Sequence, residues 1–235
     1  MTTTLITGAN KGLGYETARQ LIAAGHTVYL GCRDPQRGQS AADRLGGRFV
    51  QLDVTDDESV SAAATFIGDN GGLDVLVNNA GVEGRGEHNS IISAAAVTAD
   101  MVREVFDTNV FGVVRVTHAF LPLLQRSPAP VVVNVSSSLG SLSLAGSPES
   151  PTYHYPGVAY PASKSALNMI TVQFAKQFPG IRINAVEPGY TNTDLNGRTG
   201  TQTVEVGARI IVEMAQTPPD GPTGGYCSAH GEIPW

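Results

Sequence analysis

Apolar and polar positions alternate in short blocks from the first residues onward. Residues 3–7 ("TTLIT") form a β-branched run that predicts a strand, and 14–24 place Ala18, Leu21 and Ile22 on one helical face. The same alternation then predicts a strand over 26–32, a helix over 34–45, a strand over 48–54, a helix over 56–67 and a strand over 73–81. Asp34 stands where it can cap the second helix, with Pro35 at its first position. The third helix opens on acidic residues, as the helix dipole favours. A glycine-rich loop to about Asp100 leads into a long helical region ending near Gln125. "PVVVNVSS" (130–137) is a near-continuous apolar strand of the kind buried on both faces. A helix over 159–177, a strand over 181–187 and a helix around 203–215 complete the series.

Strand and helix in strict succession predict an α/β fold: a doubly wound parallel sheet with helices on both faces. No break in composition and no internal repeat divides the chain, so one domain is expected over 1–235. One connection is unusual. Residues 144–161 contain Pro148, Pro151, Pro156 and Pro161, which predicts a loop of its own and an insertion at about 144–158.

Bulk properties narrow the function. Hydrophobic residues make up 41% and charged residues 15%, which fits a globular chain with a full core. The net charge is −6 with no basic run, which disfavours nucleic acid and anionic membrane as partners. "MTTTLITG" has no signal-peptide character and no stretch of about 18 apolar residues occurs, so a cytoplasmic protein is expected. Cys32 and Cys227 form no motif and are expected to be reduced thiols. His26, His88, His118, His154 and His230 lack ligand spacing, and no metal site is read.

The chemistry gathers at two places. After the first strand comes "TGANKGLG" (7–14), whose Gly8, Gly12 and Gly14 allow a tight turn, close approach of a diphosphate, and helix-on-strand packing. The second strand ends "GCRD", at the point that meets the adenine ribose of a dinucleotide. Arg33 there, with Lys11 in the glycine loop, favours a 2′-phosphate and hence NADP, while Asp34 is assigned to the helix cap. Farther on, Tyr160 and Lys164 stand four apart at the start of a helix and share a face. An ammonium beside a phenol favours the phenolate, which is expected to lower the Tyr160 pKa toward the working range of an acid–base group.

With these pieces in view, the chain resembles the short-chain dehydrogenase/reductase family, which has the Rossmann fold, over almost its full length. The matching segments, in order, are "TGANKGLG", "LDV" (52–54), "NNAG" (78–81), "TNVFG" (108–112), "VNVSSSLG" (133–140), "YPASK" (160–164) and "EPGYTNTD" (187–194). The resemblance implies catalytic roles for Asn109, Ser137, Tyr160 and Lys164. Tyr160 would be the general acid, Lys164 would hold the nicotinamide ribose, Ser137 would donate to the substrate oxygen, and Asn109 would anchor a water linking the lysine to solvent. It implies cofactor contacts from Gly8, Asn10, Lys11, Gly12, Leu13 and Gly14, and from Arg33. Asp53 and Val54 would meet the adenine, with Asn79, Ala80 and Gly81 at its ribose. Pro188, Gly189 and Thr193 would lie along the nicotinamide, Thr191 would be a further cofactor contact, and Asn78 would brace the central strands. Thr191 stands where many members carry an aliphatic residue.

Ser137 and Tyr160 are 23 positions apart, about ten more than in most members. That insertion, with "GANKG" and the "RD" after the second strand, resembles the monomeric carbonyl reductase branch. It implies NADPH, a small carbonyl substrate, and a crowded four-helix contact that leaves monomer and homo-oligomer both open. Substrate walls are expected from Tyr153, His154 and Tyr155, from about 82–98, and from about 190–205. Two other readings use the same residues: an NAD-linked alcohol dehydrogenase working oxidatively, and a dinucleotide-sensing regulator without turnover.

Overall fold

A computed structural model describes residues 2–235; Met1, the first residue of the expected 1–235 span, lies outside the described residues. The strands are β1 (Thr3–Thr7), β2 (Thr27–Cys32), β3 (Arg48–Gln51), β4 (Val75–Asn78), β5 (Val131–Val135), β6 (Arg182–Glu187), β7 (Tyr226–Ser228) and β8 (Gly231–Glu232). The helices are α1 (Gly12–Ala23), α2 (Pro35–Leu45), α3 (Asp57–Asp69), α4 (Ala99–Phe106), α5 (Gly112–Leu124), α6 (Leu142–Ala145), α7 (Ala159–Gln177) and α8 (Val204–Ala215). One sheet runs in the order β3-β2-β1-β4-β5-β6-β7-β8. Its pairs are parallel through β7, and only β7 with β8 is antiparallel.

The period-two alternation of the strands divides the core. Leu5, Leu76, Val132 and Ile183 enter one layer with Val60 and Ile67 of α3 and Val116 and Phe120 of α5. Ile6, Val77, Val133 and Val186 enter the other with Ala18 and Leu21 of α1, Ala41 of α2 and Ile211 of α8. This two-sided burial is why the strands read as nearly continuous apolar runs. The caps act as the local sequence predicts: Asp34 accepts from the Arg37 N–H at 3.0 Å with Pro35 in the first turn, and Asp56 accepts from the Glu58 N–H.

Four expectations change. The strand expected over 48–54 stops at Gln51, because the Asp53 carboxylate accepts from both the N–H and the hydroxyl of Thr55 and turns the chain. The strand expected over 73–81 stops at Asn78, where Asn79 bends toward β1. The long helix to Gln125 is interrupted by a π-turn over Asp107–Phe111 that carries Asn109. The proline-rich 144–161 segment is not loop throughout: α6 runs into it, and Pro151 starts a 3₁₀ turn (Pro151–His154) capped by Ser150. The edge hairpin β7–β8 has no counterpart among the sequence expectations, since strands of three and two residues are too short to show a period.

Phe120 is fully buried on α5 against the sheet. Phe120→Ala is expected to destabilise the fold by about 3–5 kcal/mol, read as a lower urea midpoint at unchanged slope.

Candidate active site

Strand order reverses between β1 and β4, so the connections leave these two strands to opposite sides and a crevice opens beyond their carboxyl ends. The Thr7 hydroxyl closes its floor by accepting from the N–H groups of Asn79 (3.0 Å) and Ala80 (2.9 Å). The Asn79 amide returns the contact by donating to the Thr7 carbonyl at 2.8 Å. Above this floor lies a cleft of about 1130 Å³. It is lined by Gly8, Asn10, Lys11, Gly12, Leu13, Gly14, Arg33, Asp53, Val54, Asn79, Ala80, Gly81, Ser137, Tyr160, Lys164, Pro188, Gly189, Thr191 and Thr193. Every residue expected from the sequence to be catalytic or to touch the cofactor is therefore on one surface except Asn109, which stands behind it.

The glycine loop is shaped for a phosphate group. Gly8 and Gly12 have φ of +65° and +57°, which other residues rarely adopt. A Cβ on Gly14 would sit 2.7 Å from the Gly8 carbonyl and collide with the Asn79 amide. Helix α1 has no side-chain cap, whereas α2, α3 and α4 are capped by Asp34, Asp56 and Thr98. Its first N–H groups thus face the cleft unclaimed by any cap, the arrangement that binds a diphosphate. This loop, its amides and the cleft behind it fit a dinucleotide.

At the ribose end the two expected cations separate. Lys11 pairs with Asp194 at 2.9 Å, and Asp194 also meets Arg198. Asp34 pairs with Arg37 and is absent from the lining. Arg33 lines the cleft and has no carboxylate partner among the described residues. Lys11 is therefore not the unpaired cation its sequence position suggests.

At the other end, α7 presents Tyr160 and the buried Lys164 on one face. The Lys164 ammonium donates to the Val135 carbonyl at 2.7 Å and lies 5.5 Å from the centre of the Tyr160 ring. Burial lowers the Lys164 pKa to about 8. The Tyr160 phenol is shifted upward, not downward as the neighbouring cation leads one to expect. Burial is the largest cause, followed by the Glu83 carboxylate; the Ser137 hydroxyl opposes both, and Glu187 adds a further push upward. Tyr160 consequently holds its proton at neutral pH.

Asn109 donates to the Val82 carbonyl at 2.8 Å and to the Ser163 hydroxyl at 3.0 Å, and accepts from the Val82 N–H at 2.9 Å. Ser163 in turn donates to the Tyr160 carbonyl. The observed contacts of Asn109 thus tie the end of β4 to the start of α7. Asn78 donates to Asn134 (2.8 Å) and Thr117 (3.1 Å), bracing β4, β5 and α5. Thr191 is buried, with its hydroxyl donating to the Gly189 carbonyl and accepting from Gln202, which accounts for a polar residue there. His154 and Tyr155 line the cleft and Tyr153 does not.

Three residues of the site have no individual role in the sequence expectations, although Glu83 lies in the expected 82–98 wall and Glu187 opens "EPGYTNTD". Glu83 and Glu187 line the cleft and act on Tyr160, and the Tyr226 hydroxyl donates to the Ser137 carbonyl at 2.5 Å. Burial raises the Glu187 pKa, while the N–H groups of Gly189 and Ser138 oppose it. The visible signals were the acidic residue two positions after "NNAG" and the one that opens "EPGYTNTD".

A family model described as short chain dehydrogenase matches residues 2–203. The chain belongs to the short-chain dehydrogenase family. Within this family of NAD(P)-linked oxidoreductases, it is 32% identical to a (+)-neomenthol dehydrogenase of Capsicum annuum, over 94% of this chain and 93% of that one. It is 34% identical to salutaridine reductase of Papaver bracteatum, over 94% and 92%. The NADPH-bound carbonyl reductase from chicken fatty liver superposes with a TM-score of 0.86 at 28% identity, covering 100% of this chain and 99% of that one. Among the described residues no helix is long and apolar enough to cross a membrane.

The buried ammonium gives a pH test. Folded Lys164 holds its proton less tightly than in the unfolded chain, where the pKa is about 10.4. Between about pH 8 and pH 10 the unfolded state therefore binds more protons, and stability rises with pH. Urea midpoints of the cofactor-free protein are expected to show this rise relative to Lys164→Met. Parallel curves for the two proteins would show that Lys164 is not a buried cation.

Proposed function

We propose that this protein is an NADPH-dependent carbonyl reductase that converts a ketone or aldehyde to the alcohol. The observation that carries the reading is a protonated phenol, Tyr160, sharing one cleft with the Ser137 hydroxyl. A carbonyl being reduced gains a proton on oxygen, and a group that retains its proton at neutral pH is suited to give it. The same two groups, Tyr160 and Ser137, would serve the reverse reaction, so the reductive direction rests on the preference for NADPH that Arg33 favours.

The loop from Gly8 to Gly14, with the first N–H groups of α1, would hold the diphosphate, and Arg33 a 2′-phosphate. Asp53 and Val54 would meet the adenine, Asn79, Ala80 and Gly81 its ribose, Lys164 the nicotinamide ribose, and Pro188, Gly189, Thr191 and Thr193 the nicotinamide. Bound there, NADPH supplies the hydride that the carbonyl carbon accepts. Ser137 orients the carbonyl by donating to its oxygen, and Tyr160 transfers its proton to the same oxygen. The phenolate left behind faces the Lys164 cation, which stabilises it until a solvent proton restores the phenol. The kinship with salutaridine reductase and the likeness to an NADPH-bound carbonyl reductase support this reading.

A panel of ketones, aldehydes and quinones, followed at the nicotinamide absorbance, tests the activity. Tyr160→Phe is expected to lower kcat by about 10²–10⁴ while NADPH still binds, and near-normal turnover would remove the phenol from the mechanism. Arg33→Asp is expected to weaken NADPH by roughly 10- to 100-fold, the loss of a hydrogen bond between charged groups, with little change for NADH. Equal losses for both cofactors would take Arg33 out of the discrimination.

A further inference from the structure

The chain leaving β4 is fixed as far as Val82, which Asn109 holds at both its N–H and its carbonyl. The next side chain, Glu83, is only 7% exposed. Its two oxygens accept from Arg85, Nε to Oε2 at 2.9 Å and Nη2 to Oε1 at 3.0 Å. Oε1 also accepts from the Tyr155 hydroxyl at 2.7 Å, reaching across to the insertion. Arg85 uses Nη1 on the Asn89 carbonyl, so all the charged donors of this cluster are directed inward to its own loop.

Backbone contacts join the same two segments. Arg85 bridges to Ile91 within the loop, and Ser93 bridges to Gly157, two residues after Tyr155. The Tyr155 ring packs onto Gly157, where a Cβ would sit 2.5 Å from the ring edge. Gly84, at φ +69°, lets the loop pass Val105, whose methyl would lie 2.5 Å from an added Cβ. Glu83, Tyr155 and Tyr160 also line one small cavity of about 10 Å³, room for about one water. A buried ion pair is a weak source of net stability but a strong constraint on geometry, because breaking it leaves an uncompensated charge.

We propose that Glu83 is a positioning residue that joins the 82–98 loop to the 144–158 insertion through Arg85 and Tyr155, making them one rigid wall that aligns the carbonyl compound over Tyr160. The alignment part of this inference rests on the reductase reading; the joining of the two segments does not. Glu83 also faces Tyr160 electrostatically, together with Glu187 from β6, Tyr155 from the insertion, Tyr226 from β7 and Lys164 from α7 itself.

Hydrogen exchange of the NADPH complex, compared for wild type, Glu83→Gln and Tyr155→Phe, tests the joint without reference to turnover. Both variants are expected to lose protection in 82–98 and 144–158 together. Faster exchange confined to the substituted segment would overturn the proposal. Kinetics test the alignment: each variant is expected to raise KM for the carbonyl compound about 10-fold, the loss of one hydrogen bond to a charged group, with NADPH affinity unchanged. The double variant should be no worse than the worse single one, and additive losses would show two independent walls. In both variants KM should change more than kcat, and a loss confined to kcat would reduce Glu83 to a structural contact. If Glu83→Gln fails to fold with Arg85 unpaired, Tyr155→Phe and Glu83→Gln combined with Arg85→Met carry the same comparisons. A wild type that turns over no carbonyl compound would sink the reductase reading while leaving the exchange result to decide the joint.

Discussion

The hydroxyl of Thr7 holds together two strands whose connections pull apart. It accepts from two consecutive N–H groups at the end of β4, just where the sheet order reverses. The clasp carries the contact past Ile6 and Val77, the last ladder pair between these strands, and the Asn79 amide reinforces it through the carbonyls of Thr7 and Gly8. A continuous polar path leaves from it: Asn79 to the glycine loop, Val82 to Asn109, Asn109 to Ser163, and Ser163 to the Tyr160 backbone. The phosphate end and the proton end of the cleft are therefore set by one scaffold, although 153 positions separate Thr7 from Tyr160.

Burying so many polar groups is tolerable only when they are paired. Asn109, Asn134, Ser136, Ser163 and Asn168 are buried and hydrogen-bonded, and Asn78 donates twice through its amide nitrogen, although its Oδ1 has no partner among the described residues. An amide or hydroxyl left unpaired in such a place costs roughly 1–3 kcal/mol, so the network favours one arrangement of the strands and helices over its neighbours. Tyr226 extends the constraint to the far edge of the sheet. Its hydroxyl reaches the Ser137 carbonyl while its ring stacks on Trp235, and the carbonyls of Pro234 and Trp235 accept from Ser141 and Ser143. The short hairpin at the sheet edge thus bears on a residue of the cleft.

What the sequence displays and what it hides follow from the range of the interactions. Periodicity and caps are local, so α7 is read at its true limits and Asp34 is assigned correctly to its cap. The motifs that line the cleft are legible for the same reason, since each is a contiguous segment. Pairs formed across the fold leave no such trace. Lys11 and Asp194 are 183 positions apart, and Glu83 and Tyr155 are 72 apart. The π-turn at Asn109 has the apolar pattern of a helix and changes only its hydrogen bonding. The direction of the Tyr160 shift was beyond reach for another reason: it is set by burial and by the Glu83 and Glu187 carboxylates, which tertiary packing brings to the phenol and a helical spacing does not show.

That outcome is compatible with proton transfer, because the two states of the phenol meet the lysine differently. A neutral phenol has little Coulomb interaction with the ammonium, whereas a phenolate has a full one. With the charge placed at the ring centre, 5.5 Å from the ammonium, and an effective dielectric of about 20, the attraction is on the order of 3 kcal/mol. In the proposed reduction, burial would keep the proton on Tyr160 until there is an oxygen to receive it, and the cation would then favour the state reached after transfer. An interaction of this kind appears only along the reaction, which is the form of stabilisation that raises a rate instead of merely tightening binding. Glu83 and Glu187 work against it by resisting the phenolate. The acid strength of Tyr160 is therefore set first by burial and then by two carboxylates on neighbouring elements, with the Ser137 hydroxyl opposing them.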